Sequence, residues 1–96
     1  MYKIKVLPQA DKDIRSYQKA GNKAALIKIQ AIFKELELHP TTGIGQPEKL
    51  KYELTGYWSR RIDKKNRMTY RIEEEIITVV VVSSLGHYIQ SYLAPV

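Results

Sequence analysis

Two adjacent strand patterns in the C-terminal third constrain the fold of this chain more than any other feature. Residues 67–72 alternate between polar and apolar side chains, which predicts a strand with one buried face. Residues 76–82 are β-branched throughout, which favours a central strand covered on both faces, or on one face and partly on the other. Only the glutamates 73–75 separate the two strands, so a tight turn must pair them antiparallel.

The N-terminal part of the chain predicts one strand followed by two helices. Residues 2–7 alternate and predict a half-buried strand, and apolar residues at helical spacing predict an amphipathic helix over residues 9–19. A second apolar stripe predicts a helix over residues 22–38, with Asn22 as its cap. This helix must end before Pro40, because the residue that precedes a proline disfavours helical backbone.

The middle of the chain predicts a loop and further strands. Residues 41–49 contain two glycines and a proline and are typical of a loop, and residues 50–54 could form a short strand. Residues 57–62 alternate and predict a strand, which residues 63–66 connect by a turn to the strand that follows. The order is β-α-α followed by three or four strands. We therefore expect an α+β fold, β-α-α-β-β-β, with two helices on one face of a twisted antiparallel sheet.

The face of the sheet away from the helices should carry basic side chains. On the strand 67–72, the residues expected on this face are Arg67, Thr69 and Arg71. Directly opposite residues of an antiparallel pair have a constant index sum. An odd number of residues in the connection after Ile62 therefore places Arg61 on the same face as Arg67. An even number places Arg60 there instead, and the sequence leaves both arrangements open.

Composition excludes several classes of protein. The 96 residues suffice for one small domain, and the absence of cysteine excludes disulfides and thiolate metal sites. Only two histidines are present, which argues against a zinc site. The N-terminus is too short and interrupted for a signal peptide, and no apolar run is long enough to span a membrane. We therefore expect a cytoplasmic protein that does not contact a membrane.

The charge of the chain points towards nucleic acid. Lysine and arginine number 16 against 10 acidic residues, for a net charge of +6. Residues 45–71 alone hold eight basic and three acidic side chains, including four of the five arginines. Arginine suits bidentate recognition of phosphate. Such a domain is a candidate for nucleic-acid binding, although a solvated basic surface explains the charge equally well.

Three residues could together cleave RNA. Attack by the 2′-hydroxyl requires a base for that hydroxyl, a cation for the phosphate and an acid for the departing 5′-oxygen. Glu48, Arg67 and His87 could supply these groups. Taken singly, each is more commonly an ordinary surface or strand-end residue, so the residue types alone do not establish the chemistry.

Four motifs in order resemble the YoeB/Txe branch of the RelE superfamily, the toxins of bacterial type II toxin–antitoxin modules. The motifs are Gly-Gln-Pro-Glu-Lys-Leu-Lys at 45–51, Leu-Thr-Gly-Tyr-Trp-Ser-Arg-Arg-Ile at 54–62, Asn-Arg-Met-Thr-Tyr at 66–70 and His-Tyr at 87–88. The resemblance implies a microbial-ribonuclease-like fold. It also implies a ribosome-dependent mRNA endoribonuclease that needs no metal or other cofactor and inhibits translation.

The resemblance also implies roles for individual residues. Glu48 matches the general base of the family, Arg67 the arginine that stabilises the scissile phosphate, and His87 the general acid. Tyr88 matches the tyrosine that orients the substrate. Lys51 and Arg61 match basic positions of the cleft, and the further RNA contacts that we expect are Lys49, Arg60 and Arg71.

The implied partners are the ribosome, mRNA and a cognate antitoxin. This antitoxin should be acidic, partly disordered and YefM/Axe-like, and operator DNA should be contacted only through the antitoxin complex. The toxin domain should span residues 1–88, and residues 89–96 form an extension past the usual end of the family. Two alternatives stay open. The chain could be a non-catalytic RNA-binding, ribosome-binding or repressor-assembly module, or a toxin inactivated by its extension.

Overall fold

Two helices pack on one face of a five-stranded sheet in the computed structural model, which describes residues 1–86. The helices are α1 (Pro8–Lys19) and α2 (Lys23–Leu38). The strands are β1 (Lys3–Val6), β2 (Glu48–Lys49), β3 (Tyr57–Arg61), β4 (Arg67–Glu73) and β5 (Thr78–Ser83). The predicted α+β class and both predicted helices are confirmed. Within residues 1–86, neither helix combines the length and the apolar character that a membrane crossing requires.

The strand order is β1-β5-β4-β3-β2, so β5 lies inside the sheet. The pairs β5–β4, β4–β3 and β3–β2 are antiparallel, whereas β1 runs parallel to β5. The sheet is therefore mixed, and the expectation of a fully antiparallel sheet was wrong for β1. Short turns force antiparallel pairing only between strands that they connect directly, and β1 and β5 are separated by most of the chain.

The strand β5 is central and buried, as its composition predicted, but it begins two residues later. All six of its residues are buried. A 3₁₀ turn at Glu74–Ile76 precedes it, and Ile77 adopts a left-handed conformation with φ of 47°. Ile76 and Ile77 consequently lie outside the sheet and are 66% and 51% exposed.

The core lies between the helices and the sheet. The Asn22 side chain caps α2 by accepting a hydrogen bond from the Ala25 backbone N–H at 3.1 Å, as predicted. The buried core residues of the helices and of β4 and β5 are Ala10, Tyr17, Ala25, Ile29, Ile32, Leu36, Met68, Tyr70, Val79 and Val81. Burial of these side chains fixes the sheet against the helices.

The segment between α2 and β3 differs from the sequence prediction. Glu48 and Lys49, expected in a loop, pair with β3 as the edge strand β2. Residues 50–54 do not form a strand, since Tyr52–Leu54 is a 3₁₀ turn. The reason is the antiparallel pairing of β2 with β3, which obliges the residues between them to reverse the chain direction.

Candidate active site

Strand register brings three of the predicted site residues, Glu48, Arg61 and Arg67, to neighbouring positions on the face away from the helices. Glu48 of β2 is directly opposite Ser59 of β3, and Ser59 is opposite Thr69 of β4. One row further along, Arg61 is opposite Arg67. The turn closes with a hydrogen bond of 2.8 Å from the Ile62 N–H to the Asn66 carbonyl, so three residues separate this pair. The odd-numbered connection is therefore the one that forms.

Arg67 is the most enclosed cation of this face. It opens β4, and its side chain is only 10% exposed. Its Nε donates a hydrogen bond to Ser59 Oγ at 2.5 Å, and its Nη2 lies 3.3 Å from Glu48 Oε1 in an ion pair. Contacts at Nε and Nη2 restrain the plane of the guanidinium group, which favours the presentation of donors to a phosphate.

Glu48 occupies the edge of the same face. Its side chain is 50% exposed, so solvent and a ligand can both reach the carboxylate. Within the part of the chain that the structure describes, β2 is the edge strand, so no further strand follows Glu48 on that side. The pair therefore offers a proton acceptor and a cation at hydrogen-bond distance from each other.

The other basic residues expected at the site occupy different positions on the sheet. Arg61 is exposed opposite Arg67, and Lys51 is exposed just after β2. Arg71 is 37% exposed and donates from Nε to Glu73 Oε1 at 3.0 Å. Lys49 pairs with Trp58, so its side chain leaves β2 on the face opposite to that of Glu48.

Comparison with known proteins identifies the family. The sequence model of the YoeB-like toxin of bacterial type II toxin–antitoxin system matches residues 7–88. The chain belongs to the YoeB-like toxin family. Toxin YoeB of Mycobacterium bovis is 40% identical over 73 residues, which are 76% of this chain and 85% of that protein. The predicted resemblance is thus confirmed.

Solved structures of the family share this fold. The YoeB/ParE toxin from Agrobacterium tumefaciens superposes with a TM-score of 0.83 at 29% identity, over 90% of this chain and 99% of that one. YoeB from the heterotetrameric YoeB–YefM complex of Staphylococcus aureus superposes with a TM-score of 0.77 at 35% identity, over 92% and 99% of the two chains.

Arg60 of this YoeB-family toxin does not lie on the open face. It is opposite Met68 on the helix side, and its side chain is 0% exposed. The groups that accept its hydrogen bonds are Glu35 Oε1, the Tyr70 hydroxyl and the carbonyls of His39, Thr42 and Ile44. The expected RNA contact of Arg60 does not fit this position. The residue instead ties the loop after α2 to the sheet.

Arg60 also acts on the ionisation of two neighbours. Partial burial raises the pKa of Glu35, but hydrogen bonds from Arg60 and from the Ile44 N–H outweigh it, so the pKa lies below its usual 4.5. Burial raises the pKa of Tyr70 above its usual 10.0, although Arg60 opposes the change. At neutral pH, Glu35 is therefore a carboxylate and Tyr70 a neutral phenol.

Two elements of the toxin hold the chain after β5. On the helix side, Asp13 Oδ2 accepts the Ser84 N–H at 3.0 Å, and the Tyr17 hydroxyl donates to the Ser84 carbonyl at 2.7 Å. Burial, with smaller contributions from Asp63 and Asp13, raises the pKa of Tyr17, which keeps its hydroxyl a donor. We call these contacts, together with those that Asn66 and Arg67 make to Gly86, the Ser84–Gly86 clamp.

The second half of the clamp comes from the start of β4. Asn66 Oδ1 accepts the Gly86 N–H at 3.0 Å, and the Arg67 N–H donates to the Gly86 carbonyl at 2.9 Å. The described chain therefore ends beside the cation of the site. His87 and Tyr88 lie outside the described residues, and their predicted roles stay predictions.

Ser59 and Asp13 are functional candidates that the sequence argument did not name. Alternation along 57–62 places Ser59 on the same face as Arg61, so the strand pattern contained the signal for Ser59. Asp13 had no such signal. In sequence it is one polar residue of an amphipathic helix, and only the long-range contact with Ser84 distinguishes it.

Proposed function

We propose that this toxin is an endoribonuclease that cleaves mRNA on the ribosome and thereby inhibits translation. The observation that supports this most directly is the ion pair between Glu48 and Arg67, with Arg61 exposed beside it on the same face. A carboxylate and a fixed guanidinium group within hydrogen-bond distance of one another suit a reaction in which a proton leaves a hydroxyl while charge develops on an adjacent phosphate.

In the proposed reaction the 2′-hydroxyl of the substrate is the nucleophile. Glu48 takes its proton, the O2′–P bond forms and the P–O5′ bond breaks. Arg67 and Arg61 stabilise the negative charge that develops on the phosphoryl oxygens. His87 donates a proton to the departing O5′, and Tyr88 orients the substrate. Since the nucleophile belongs to the substrate, the reaction requires no metal-bound water, and the products are a 2′,3′-cyclic phosphate, or its hydrolysed form, and a 5′-hydroxyl.

The proposed partner is an acidic, partly disordered antitoxin. The YoeB of Staphylococcus aureus is in complex with YefM. A net charge of +6, with Arg61 and Arg67 opposite one another on this face, suits an acidic segment that covers it. Contact with operator DNA would then be made through the complex.

A translation assay with a defined mRNA tests the proposed activity. Cut sites are mapped by primer extension for the wild type, Glu48→Gln, Arg67→Ala and His87→Gln. Lys12→Ala serves as the control, because Lys12 is an exposed basic residue of α1. We expect cuts near the A-site codon for the wild type and the control, and a loss of roughly 10²- to 10³-fold for Arg67→Ala.

Two results would contradict the proposal. Translation arrest without cuts, in the wild type and the variants alike, would identify a non-catalytic ribosome-binding inhibitor. Cleavage that leaves 5′-phosphate ends would exclude attack by the 2′-hydroxyl. Parallel incubation of the same mRNA without ribosomes tests the proposed dependence on the ribosome, and cutting at an equal rate there would exclude it.

A further inference from the structure

An aromatic side chain projects into solvent close to the proposed catalytic carboxylate. Tyr52 lies three positions after the end of β2 and is 84% exposed. Its backbone φ of 58° lies in the left-handed region, which a bulky residue rarely adopts because of steric repulsion. Exposure of a large aromatic ring on a strained backbone is costly for a side chain that has no role in the core.

Backbone hydrogen bonds hold this conformation in place. The Leu54 N–H donates to the Lys51 carbonyl at 3.0 Å. The Thr55 N–H and hydroxyl both donate to the Tyr52 carbonyl, at 3.0 and 2.6 Å. The turn therefore fixes the backbone from which the ring projects, and little ordering of that backbone is needed when a ligand binds.

The ring borders a shallow depression of about 250 Å³. Its lining residues are Glu48, Lys49, Leu50, Lys51, Tyr52 and Leu54. The depression is smaller than the roughly 300 Å³ at which sites for drug-sized ligands begin. It combines the tyrosine and two leucines with the exposed Lys51, which suits a flat, weakly polar group attached to an anionic backbone.

We propose that Tyr52 is a stacking platform for one unpaired base of the RNA strand. Single-stranded RNA is commonly bound by aromatic rings that stack on its bases and by basic side chains that contact its phosphates. In this arrangement the base covers the Tyr52 ring, and Lys51 contacts a phosphate of the same strand. The inference rests on the proposed function and adds a base-binding subsite next to Glu48, which holds a nucleotide near the cleaved bond without regard to its identity.

Binding to a non-cleavable strand tests this subsite separately from catalysis. The probe is a fluorescent RNA oligonucleotide in which every 2′-hydroxyl is methylated, compared with copies that carry one abasic position, moved along the strand. Affinity is measured by fluorescence anisotropy. For the wild type, we expect a loss of roughly tenfold when the abasic position is the stacked one.

The decisive comparison is a double-mutant cycle between protein and RNA. Tyr52→Ala should bind the intact strand with roughly tenfold lower affinity than the wild type does. On the abasic strand, the two proteins should bind with equal affinity. Tyr52→Phe should bind as the wild type does. Tyr52→Gly should also lose stacking, but it should unfold at no lower a temperature than the wild type, because glycine adopts φ of 58° without strain. This variant separates lost binding from lost folding.

Two control variants separate stacking from charge. Lys51→Ala should weaken binding to intact and abasic strands equally, and should lower the slope of log K against log salt by about 0.7. Tyr52→Ala should leave that slope unchanged. Ile76→Ala, which truncates an exposed side chain in the turn before β5, should alter neither affinity nor slope.

Affinity of the wild type that does not depend on any abasic position would overturn the proposal. Unchanged RNA binding by Tyr52→Ala, together with weaker capture of an acidic antitoxin peptide, would also overturn it and assign the ring to the antitoxin interface. The proposed function can fail independently. In that case the wild type still binds the abasic strand less tightly than the intact strand, while the translation assay shows no cuts. If the wild type cleaves mRNA as proposed and Tyr52→Ala leaves RNA affinity unchanged, only the proposed stacking platform is contradicted.

Discussion

Ser59 orients the cation of the proposed site from a position without solvent access. The residue is 0% exposed, and its Oγ accepts a hydrogen bond from Arg67 Nε at 2.5 Å. A hydrogen bond to a charged group is worth about 1.5–3 kcal/mol. Glu48, at 3.3 Å from Arg67 Nη2, is half exposed and provides the weaker restraint. Ser59 is therefore a positioning residue for Arg67.

We expect Ser59→Ala to lower kcat for mRNA cleavage by roughly tenfold, with little change in KM, because Arg67 keeps its charge and loses its orientation. Ser59→Thr, which retains a hydroxyl on the same strand, should recover most of the activity. Single-turnover cleavage on programmed ribosomes measures the effect. Ser16→Ala, at an exposed serine of α1, is the matched control. A rise in KM with kcat unchanged would contradict a positioning role.

Thr69 of β4 lies directly opposite Ser59 of β3 but differs from it in hydrogen bonding. Its Oγ1 is buried and has no hydrogen-bond partner among residues 1–86, and the residue is 1% exposed. Replacing a buried, unsatisfied hydroxyl by a methyl group removes a desolvation cost of about 1–3 kcal/mol. We therefore expect Thr69→Val to be neutral or to raise the free energy of unfolding by about 1 kcal/mol in a urea titration. A clear loss of stability would show that the hydroxyl is satisfied in solution.

At the scale of secondary structure, the Ser84–Gly86 clamp connects α1, the turn before β4 and the end of β5. Asp13 and Asn66 accept hydrogen bonds from the Ser84 and Gly86 N–H groups, on opposite sides of the segment. The segment leads directly to the positions proposed to carry the general acid. Side chains remote from the chemistry can thus influence it through the placement of this backbone.

We expect Asp13→Ala to lower the free energy of unfolding by about 1–3 kcal/mol, because it leaves the buried Ser84 N–H without an acceptor. Amide hydrogen exchange at Ser84 should accelerate, and cleavage should decrease with it. Asp11→Ala is the control on the same helix, since Asp11 is exposed and pairs with the exposed Arg15. Equal effects of the two variants would contradict the clamp.

The elements that sequence could predict are those with local causes. Helical spacing and the Asn22 cap determined α2, and alternation determined β4. The strand β2 was missed because two residues give no periodicity, and only pairing with β3 makes them a strand. The strand β5 begins after Ile77 because this residue adopts a left-handed backbone conformation. A β-branched residue favours extended backbone, so the sequence predicted that the strand begins earlier.

The candidate site was predictable to a similar extent. The strand pattern placed Arg67 away from the core, and the motifs selected Glu48, but neither could decide between Arg60 and Arg61. That choice depended on how many residues the turn at 63–66 leaves unpaired, a property of the folded turn. An arginine with no exposed side-chain surface is also exceptional, and composition alone assigns it to the surface.

At the scale of the whole molecule, Arg60 joins the helical layer to the sheet through Glu35. The loop between them is close-packed, since a Cβ atom at Gly43 would overlap the Glu35 carboxylate. The pKa of Glu35 is lower in the folded protein than its usual 4.5. Between the two values the unfolded chain binds more protons, so this interaction stabilises the fold above about pH 4.5 and is lost as pH falls through the folded pKa.

We therefore expect Glu35→Gln to be less stable than the wild type at pH 7, and the difference to shrink steadily below about pH 4.5. Urea unfolding at a series of pH values measures it. Glu53→Gln, at an exposed carboxylate of the turn after β2, should follow the wild type throughout. A constant difference between Glu35→Gln and the wild type down to pH 3 would show that the charge of Glu35 does not contribute.

The net charge of +6 leads to a final prediction about the rate at which the proposed antitoxin is captured. Opposite charges accelerate the encounter of two proteins by about 10- to 10³-fold, and salt screens the attraction over a Debye length of about 10 Å at 0.1 M. The association rate constant for an acidic antitoxin peptide should therefore fall at least tenfold between roughly 0.05 and 0.5 M salt. Apolar contacts formed after the encounter should keep the dissociation rate nearly constant.

Stopped-flow measurements on two variants of equal charge separate local from overall attraction. Arg61→Ala and Lys12→Ala each remove one positive charge, but only Arg61 lies opposite Arg67 on the proposed binding face. Arg61→Ala should therefore slow association more, and the two rates should converge at high salt because screening removes the difference. Equal slowing by both variants would mean that overall charge alone attracts the antitoxin, and that it does not first meet the basic face around Arg67.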